Sequence, residues 1–450
     1  MNKSLYRADI DGLRAVAVLP VILFHLNSSW IPGGFVGVDI FFVISGFLIT
    51  GIFCRHLERD EFSFADFWVR RVKRIMPAVL AVIFFVLIGG YLLVFFGEWE
   101  SISSQTTMTL LFAANFEMYD YAKDYWGPQA ENAPLLHMWS LSVEEQFYLF
   151  YPLLFVLLFK KCKKYLVCVL GGICLLSLVG SVLLTSQYPA ASFYLLPSRI
   201  WELGVGALAA MFLFKNRTIP ELWSQVLGWI GLMLIVLSFG LVTEVGFPGY
   251  KALFPVVGSV MLILAGVNKN MVSQLLSSKI LVIIGKWSYS LYLWHWPIIV
   301  YARKWTDQRG GEFPYLEVVA IILVCSVVSY YLIENRFRFG SKKVVYGVVA
   351  VTALLFGMAV LLPKLRPKYD FSQYKEVKCL GDLYDNTPVV SNLNENVKYR
   401  MSGIHFPRRE LGEYTNYKDG GVMKHYGDGV IDVMVLGSSH SLMWCPVIDE

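Results

Sequence analysis

Apolar runs long enough to cross a bilayer, about 20 residues each, recur near residues 10–29, 35–54, 76–97, 141–159, 165–185, 198–214, 222–242, 252–267, 279–300, 316–333 and 344–363. Eleven such runs separated by polar loops predict an all-α polytopic membrane protein, because only a helix satisfies its own backbone groups in hydrocarbon. Beyond residue 363 the pattern changes. The stretch DLYDNTPVVSNLNENVKYR is polar and turn-rich. Only VIDVMVLGSSHS, residues 430–441, returns to an apolar strand pattern, and it runs into a Gly-Ser turn. One strand cannot bury a core, so residues 430–450 are expected to begin a domain that this chain does not complete. The expected organisation is a helical domain over 1–340, a further span over 341–365, a linker or extension over 366–429, and the start of the second domain over 430–450.

Composition supports this picture. Of 450 residues 56% are hydrophobic and only 16% charged, well below the roughly one-quarter charged content of a soluble domain. The net charge of +5 is small and dispersed, which gives no case for nucleic acid as a partner. No CxxC pair or other metal-ligand spacing occurs among the seven cysteines, which lie mostly in or beside apolar runs and read as packing residues. The opening MNKSLYRADIDGLR is too polar for a cleaved signal peptide, so the first span is expected to stay in the membrane.

Orientation follows from the basic residues. With the N-terminus inside, Arg55, Arg70, Arg71, Lys73, Arg74, Lys160, Lys161, Lys215, Arg336, Arg338 and Lys342 all fall in cytoplasmic loops or at cytoplasmic helix ends. The acidic stretch with Glu98, Glu117, Asp120 and Glu131 falls outside, and an odd span count delivers the tail outside as well.

Ionisable groups within spans are costly and are functional candidates for that reason. Arg14 and His25 are eleven residues apart in the first run, so at 100° per residue they lie within about 20° on one helix face and about 16 Å apart along the axis. Either they bind the two ends of an elongated anion, or Arg14 snorkels to headgroups and His25 is a satisfied core histidine. Arg71 and Arg74, three apart, share a face of the third span and suit phosphate, or else serve as a positive-inside anchor. HMWSLSVEEQFYL places His137, Glu144 and Glu145 at or just inside the external end of the fourth span. Adjacent carboxylates diverge by about 100°, so one of the pair is expected to face the bundle, and Glu144 is chosen because Ser140 and Ser142 make its turn polar. Asp39 and Ser45 add polar groups to the second span, and Tyr292 and His295 to the ninth. Trp294 and Trp296 read as an interfacial belt. These residues suit acyl transfer, with a histidine as general base, cations on a phosphorylated donor, and a carboxylate to orient the imidazole. A proton-coupled transporter would also want them.

The stretches YRADIDGLRAVAVLPVILFH and GGFVGVDIFFVISGFLIT, with MWSLSVEEQFYL and SYSLYLWHWPI further on, strongly resemble membrane acyltransferase family 3. The resemblance covers roughly residues 5–340. The family's basic residue and histidine with ten residues between them are met by Arg14 and His25, and its arginine pair with two between by Arg71 and Arg74. It implies a ten-helix core that takes the acyl group of cytoplasmic acetyl-CoA, the donor substrate, with no metal. Arg14, Arg71 and Arg74 would hold the CoA phosphates, with His25 as base or acyl relay. An eleventh span leading to an external α/β SGNH-type domain marks the subgroup that O-acetylates surface glycans. By that resemblance Ser439 takes the nucleophile position, although Ser438 stands where the motif has Asp and the triad partners are absent. The implied protein is a bacterial inner-membrane O-acetyltransferase acting on a surface polysaccharide or lipid-linked glycan, lipopolysaccharide O-antigen first and peptidoglycan as the alternative.

Overall fold

The computed structural model describes residues 6–93, 99–123, 130–215, 219–309 and 311–365, and three strands beyond them. The chain divides into two compact units, Met1–Leu365 and Arg366–Glu450. The first is helical: α1 (Ala8–Leu26), α2 (Gly37–Glu58), α3 (Phe64–Leu93), α4 (Trp99–Leu110), α5 (Ala114–Lys123), α6 (Met138–Lys161), α7 (Leu166–Gln187), α8 (Pro189–Tyr194), α9 (Leu196–Phe214), α10 (Glu221–Leu241), α11 (Leu253–Ala265), α12 (Met271–Leu276), α13 (Lys279–Arg309), α14 (Tyr315–Val328), α15 (Asn335–Arg338) and α16 (Val344–Leu365). A π-helical turn over Ser329–Glu334 joins α14 to α15.

Each of the eleven apolar runs coincides with a helix. Among the described residues eight helical segments are long and apolar enough to cross a membrane, built on α2, α3, α6, α7, α8–α9, α10, α14–α15 and α16. The other three runs became α1, α11 and α13. Helix α11 is only 13 residues long. Helices α1 and α13 carry charge along their length, among it Asp9, Asp11 and Arg14 on one and Lys286 and Arg303 on the other. The outer helices α7, α10, α14 and α16 turn large apolar side chains outward, among them Leu176, Leu222, Leu241, Val324 and Leu354. A helix apolar all round is suited to lipid.

With lipid outside as apolar as the core, close backbone approach through small residues replaces the hydrophobic drive between helices. A Cβ on Gly46 of α2 would stand 1.8 Å from the Leu203 carbonyl oxygen of α9, and one on Gly206 of α9 would stand 2.1 Å from that of Val43. Gly285 of α13 does the same against α1, where a Cβ would meet the Asp11 carbonyl at 1.7 Å. That contact fixes the register of α1 on α13, and Val18, Ile22 and Leu26 then pack with Leu291, Ile298 and Ile299.

The second unit contributes an antiparallel meander of β1 (Thr415–Tyr417), β2 (Gly421–Tyr426) and β3 (Ile431–Leu436). Strand β3 is the strand expected from VIDVMVL. Ser438 and Ser439, and with them the expected nucleophile position, lie outside the described residues, as does most of 366–429.

Candidate functional site

A cavity of about 460 Å³ opens among α1, α2, α3, α6 and α13. Arg14, Arg70, Arg71, Arg74 and Arg338 line it, against a single lining carboxylate, Glu144. Ser45, Ser140, Tyr148, Ser288, Tyr289 and Tyr292 supply hydroxyls, and Phe41, Phe42, Ile44, Leu48 and Ile49 of α2 are among the residues that make an apolar wall. The surplus of guanidinium over carboxylate makes this a site for an anion with an apolar part.

Arg71 is held from three sides. Its Nε donates to Glu145 Oε1 at 3.0 Å, its Nη2 donates to Glu144 Oε1 at 3.1 Å, and its guanidinium carbon lies 3.5 Å from the centre of the Tyr148 ring. Glu144 Oε1 also accepts from Ser45 Oγ and from Tyr148 Oη, each at 2.5 Å. Both carboxylates therefore face Arg71, which corrects the expectation that only one of the pair could turn inward. A five-donor guanidinium reaching in from α3 bridges the angle between two neighbouring Glu side chains on α6. Arg14 is less engaged, 3.6 Å from Asp11. Arg74 has no hydrogen bond or ion pair among the described residues, and Arg338 has a cation–π contact with Phe339 at 5.4 Å; both, with Arg14, lie in the field of the buried Glu334 carboxylate. Arg14, Arg74 and Arg338 are the cations left for a ligand.

His25 sits in the last turn of α1 and faces α13. Its Nδ1 is 3.0 Å from Nε2 of His295, and His295 Nδ1 is 2.6 Å from the Tyr292 carbonyl oxygen. Trp296 packs edge-on to the His25 ring with centroids 4.6 Å apart and donates through Nε1 to the Ala133 carbonyl at 2.7 Å. Trp296 is thus buried beside the histidines rather than in an interfacial belt. A third imidazole, His137 at the N-cap of α6, meets His295 edge-to-face with centroids 5.5 Å apart. Pro297 has no N–H, so the Leu293 carbonyl four residues earlier loses its helical partner. His137 Nε2, 3.0 Å away, takes that bond.

Glu144 does not orient the imidazole, contrary to expectation. It lies seven residues beyond His137, about 10 Å further along α6, and is bound to Arg71. His295 occupies the orienting position. Tyr292 connects the two places: its ring lines the cavity, its hydroxyl donates to the His137 carbonyl at 2.9 Å and pairs with Ser140 Oγ at 2.5 Å, and its own carbonyl meets His295. Of the residues chosen from sequence, Arg14, Arg71, Arg74 and Glu144 line one cavity and His25 stands behind its Tyr292 wall. Missed were Arg338, read only as a topology marker, and Tyr148, Tyr289 and Glu145. Asp39 is elsewhere: it binds Arg199 Nη1 at 3.1 Å, and the same nitrogen binds Glu202 at 2.8 Å, all three nearly inaccessible. An arginine and a glutamate in the apolar run PSRIWELGVGA were the sequence signal for that cluster.

Apolar helices around an arginine-lined cavity backed by imidazoles define a multi-pass membrane protein with a site for an anionic ligand. The family described as acyltransferase domain matches residues 7–335, and the chain belongs to it. The chain is similar to O-acetyltransferase OatA of Staphylococcus aureus strain NCTC 8325 / PS 47 and to that of strain COL, 32% identical to each over 355 residues, which is 75% of this chain and 58% of the relative. It spans about three-fifths of the length of the curated relatives it matches. No solved structure matches it.

Proposed function

We propose that this chain is the membrane part of an O-acetyltransferase that takes acetyl from cytoplasmic acetyl-CoA and delivers it to a hydroxyl of an extracytoplasmic glycan, with lipopolysaccharide O-antigen as the first acceptor to examine. The observation that carries the reading is the joint between cavity and histidines at Tyr292. On one side lie Arg14, Arg74 and Arg338, whose guanidiniums border the cavity and suit the phosphates of CoA. On the other lies His25, within the same helix register. The distribution of basic loops supports a cytoplasmic N-terminus and a donor entering from that side of a bacterial inner membrane. The similarity to O-acetyltransferases supports the oxygen acceptor.

In the proposed step His25 Nε2 takes the proton of the acceptor hydroxyl as its oxygen attacks the acetyl carbonyl carbon. The carbon–sulfur bond breaks, and the departing thiolate recovers the proton from His25, leaving an ester and free CoA. Residues 430–450 would begin an SGNH-type unit on the outside, with Ser439 at its nucleophile position.

The test is release of CoA from labelled acetyl-CoA by the purified protein in bilayers, together with mass spectrometry of surface glycans from cells with and without it. His25→Ala is expected to lower turnover by about 10²–10⁴-fold. Retained acetylation at normal expression would overturn the reading, and acetyl found on peptidoglycan alone would replace the acceptor.

A further inference from the structure

We infer that His295 is a positioning residue that fixes the tautomer of His25, so that Nε2 of His25 is the free base. This rests on the proposed acyl transfer and goes beyond it, because it assigns the proton on each ring from geometry. A carbonyl oxygen only accepts, so the 2.6 Å contact between His295 Nδ1 and the Tyr292 carbonyl places the proton of His295 on Nδ1. No carboxylate contacts His25, His137 or His295 among the described residues, and each counts as a neutral imidazole with one N–H. Nε2 of His295 then offers a lone pair. The 3.0 Å contact with His25 Nδ1 requires the proton on the His25 side. His25 Nε2 is left with its lone pair and has no protein partner among the described residues.

The arrangement follows the logic of a base oriented by a third group, with an imidazole where a carboxylate is more usual. When His25 accepts a proton on Nε2, its Nδ1–H is already directed at an acceptor, and the charge is shared along Nδ1–H to His295 and from His295 Nδ1–H to the Tyr292 carbonyl. His295 is fully buried and belongs to α13, so its ring cannot turn away without breaking the carbonyl bond. His137 borders the pair but its proton is committed to Leu293 on another face. It takes no part in the chain.

The experiment compares His295→Leu with His295→Gln in the full chain reconstituted in bilayers with acetyl-CoA. The amide oxygen of Gln can accept from His25 Nδ1, whereas Leu cannot. With Leu, kcat is expected to fall about 10²-fold or more while KM for acetyl-CoA stays within about threefold, and Gln is expected to restore most of the loss. ¹⁵N-histidine spectra of the unsubstituted protein are expected to show His25 protonated on Nδ1, a signature that packing alone would not set. A His25 found protonated on Nε2, or a Leu variant with unchanged kcat, overturns the inference. If the Leu variant fails to fold, the tautomer spectrum and the Gln variant decide. An inactive His25→Ala beside a fully active His295→Leu would reject only the positioning role, whereas an active His25→Ala would reject the acyl-transfer reading itself.

Discussion

Two arginine clusters sit within the helical unit and differ in what surrounds them. Arg199 is 1% exposed, binds Asp39 and Glu202, and is ringed by Phe42, Trp139, Phe193 and Phe247 at 5.5–5.7 Å. It has two carboxylates for one cation and adjoins no cavity among those described. Arg71 also has two carboxylates, yet it opens onto about 460 Å³ shared with four more arginines. An intramembrane charge is therefore not by itself a mark of function. Space beside the charge and cations in excess of their partners separate a ligand site from an internal brace.

The largest effect should come from breaking the brace. Arg199→Met leaves Asp39 and Glu202 buried without their cation, and a loss of about 3–5 kcal/mol of stability is expected, read as lost folded protein in detergent thermal unfolding. Gly285→Val comes next. Its side chain would run into the Asp11 carbonyl, and overpacking of about 1–3 kcal/mol should separate α1 from α13 and depress turnover along with stability. Arg74→Ala sharpens the contrast with Arg199. Arg74 makes no hydrogen bond or ion pair among the described residues, and buried Glu334, which it faces at longer range, keeps Arg14 and Arg338, so unfolding temperature should change little while KM for acetyl-CoA rises about tenfold, as loss of about 1.5 kcal/mol from one charged hydrogen bond would. A stability loss as large as that of Arg199→Met would place Arg74 in the brace class.

The smallest effect belongs to a carboxylate outside both clusters and outside the spans. Burial pushes the Glu117 carboxyl of α5 above its usual value, against bonds from Ser104 and Tyr121 that lower it. A group raised in the folded state contributes stability that is present below its unfolded value, about 4.3, and lost as pH rises through the folded value. Glu117→Gln should remove that loss, stabilising by about 0.5–1 kcal/mol at neutral pH and less at pH 4. Melting curves at the two pH values check the sign.

Helix positions were legible because the apolar runs carry them. The two long helices that fall outside the eight clean spans, α1 and α13, are the ones that hold His25 and His295. Arg14, Arg71, Arg74 and Glu144 were also legible, because charge is rare in such runs. What the pattern does not encode is which helix meets which, and in what register. His295 was visible as a polar residue, but its pairing with His25, 270 positions away, depends on the Gly285–Asp11 approach. Glu145 was missed because helix angles describe backbone directions, and long side chains can converge on one guanidinium despite them. Arg338 was visible only as a loop charge, since the cavity it borders is assembled from five other helices.

Pro297 has a consequence for motion. An ordinary helix keeps all its interior bonds whether or not a neighbour is present, so neighbouring helices can slide. By withholding one N–H, Pro297 leaves the Leu293 oxygen dependent on His137, and α13 is complete at that turn only while α6 stands at a single height beside it. The pair works as a keyed joint: a piston-like slip of α6 by one turn would strand a carbonyl in a dry interior. Movements that admit donor or acceptor must then carry α6 and α13 together.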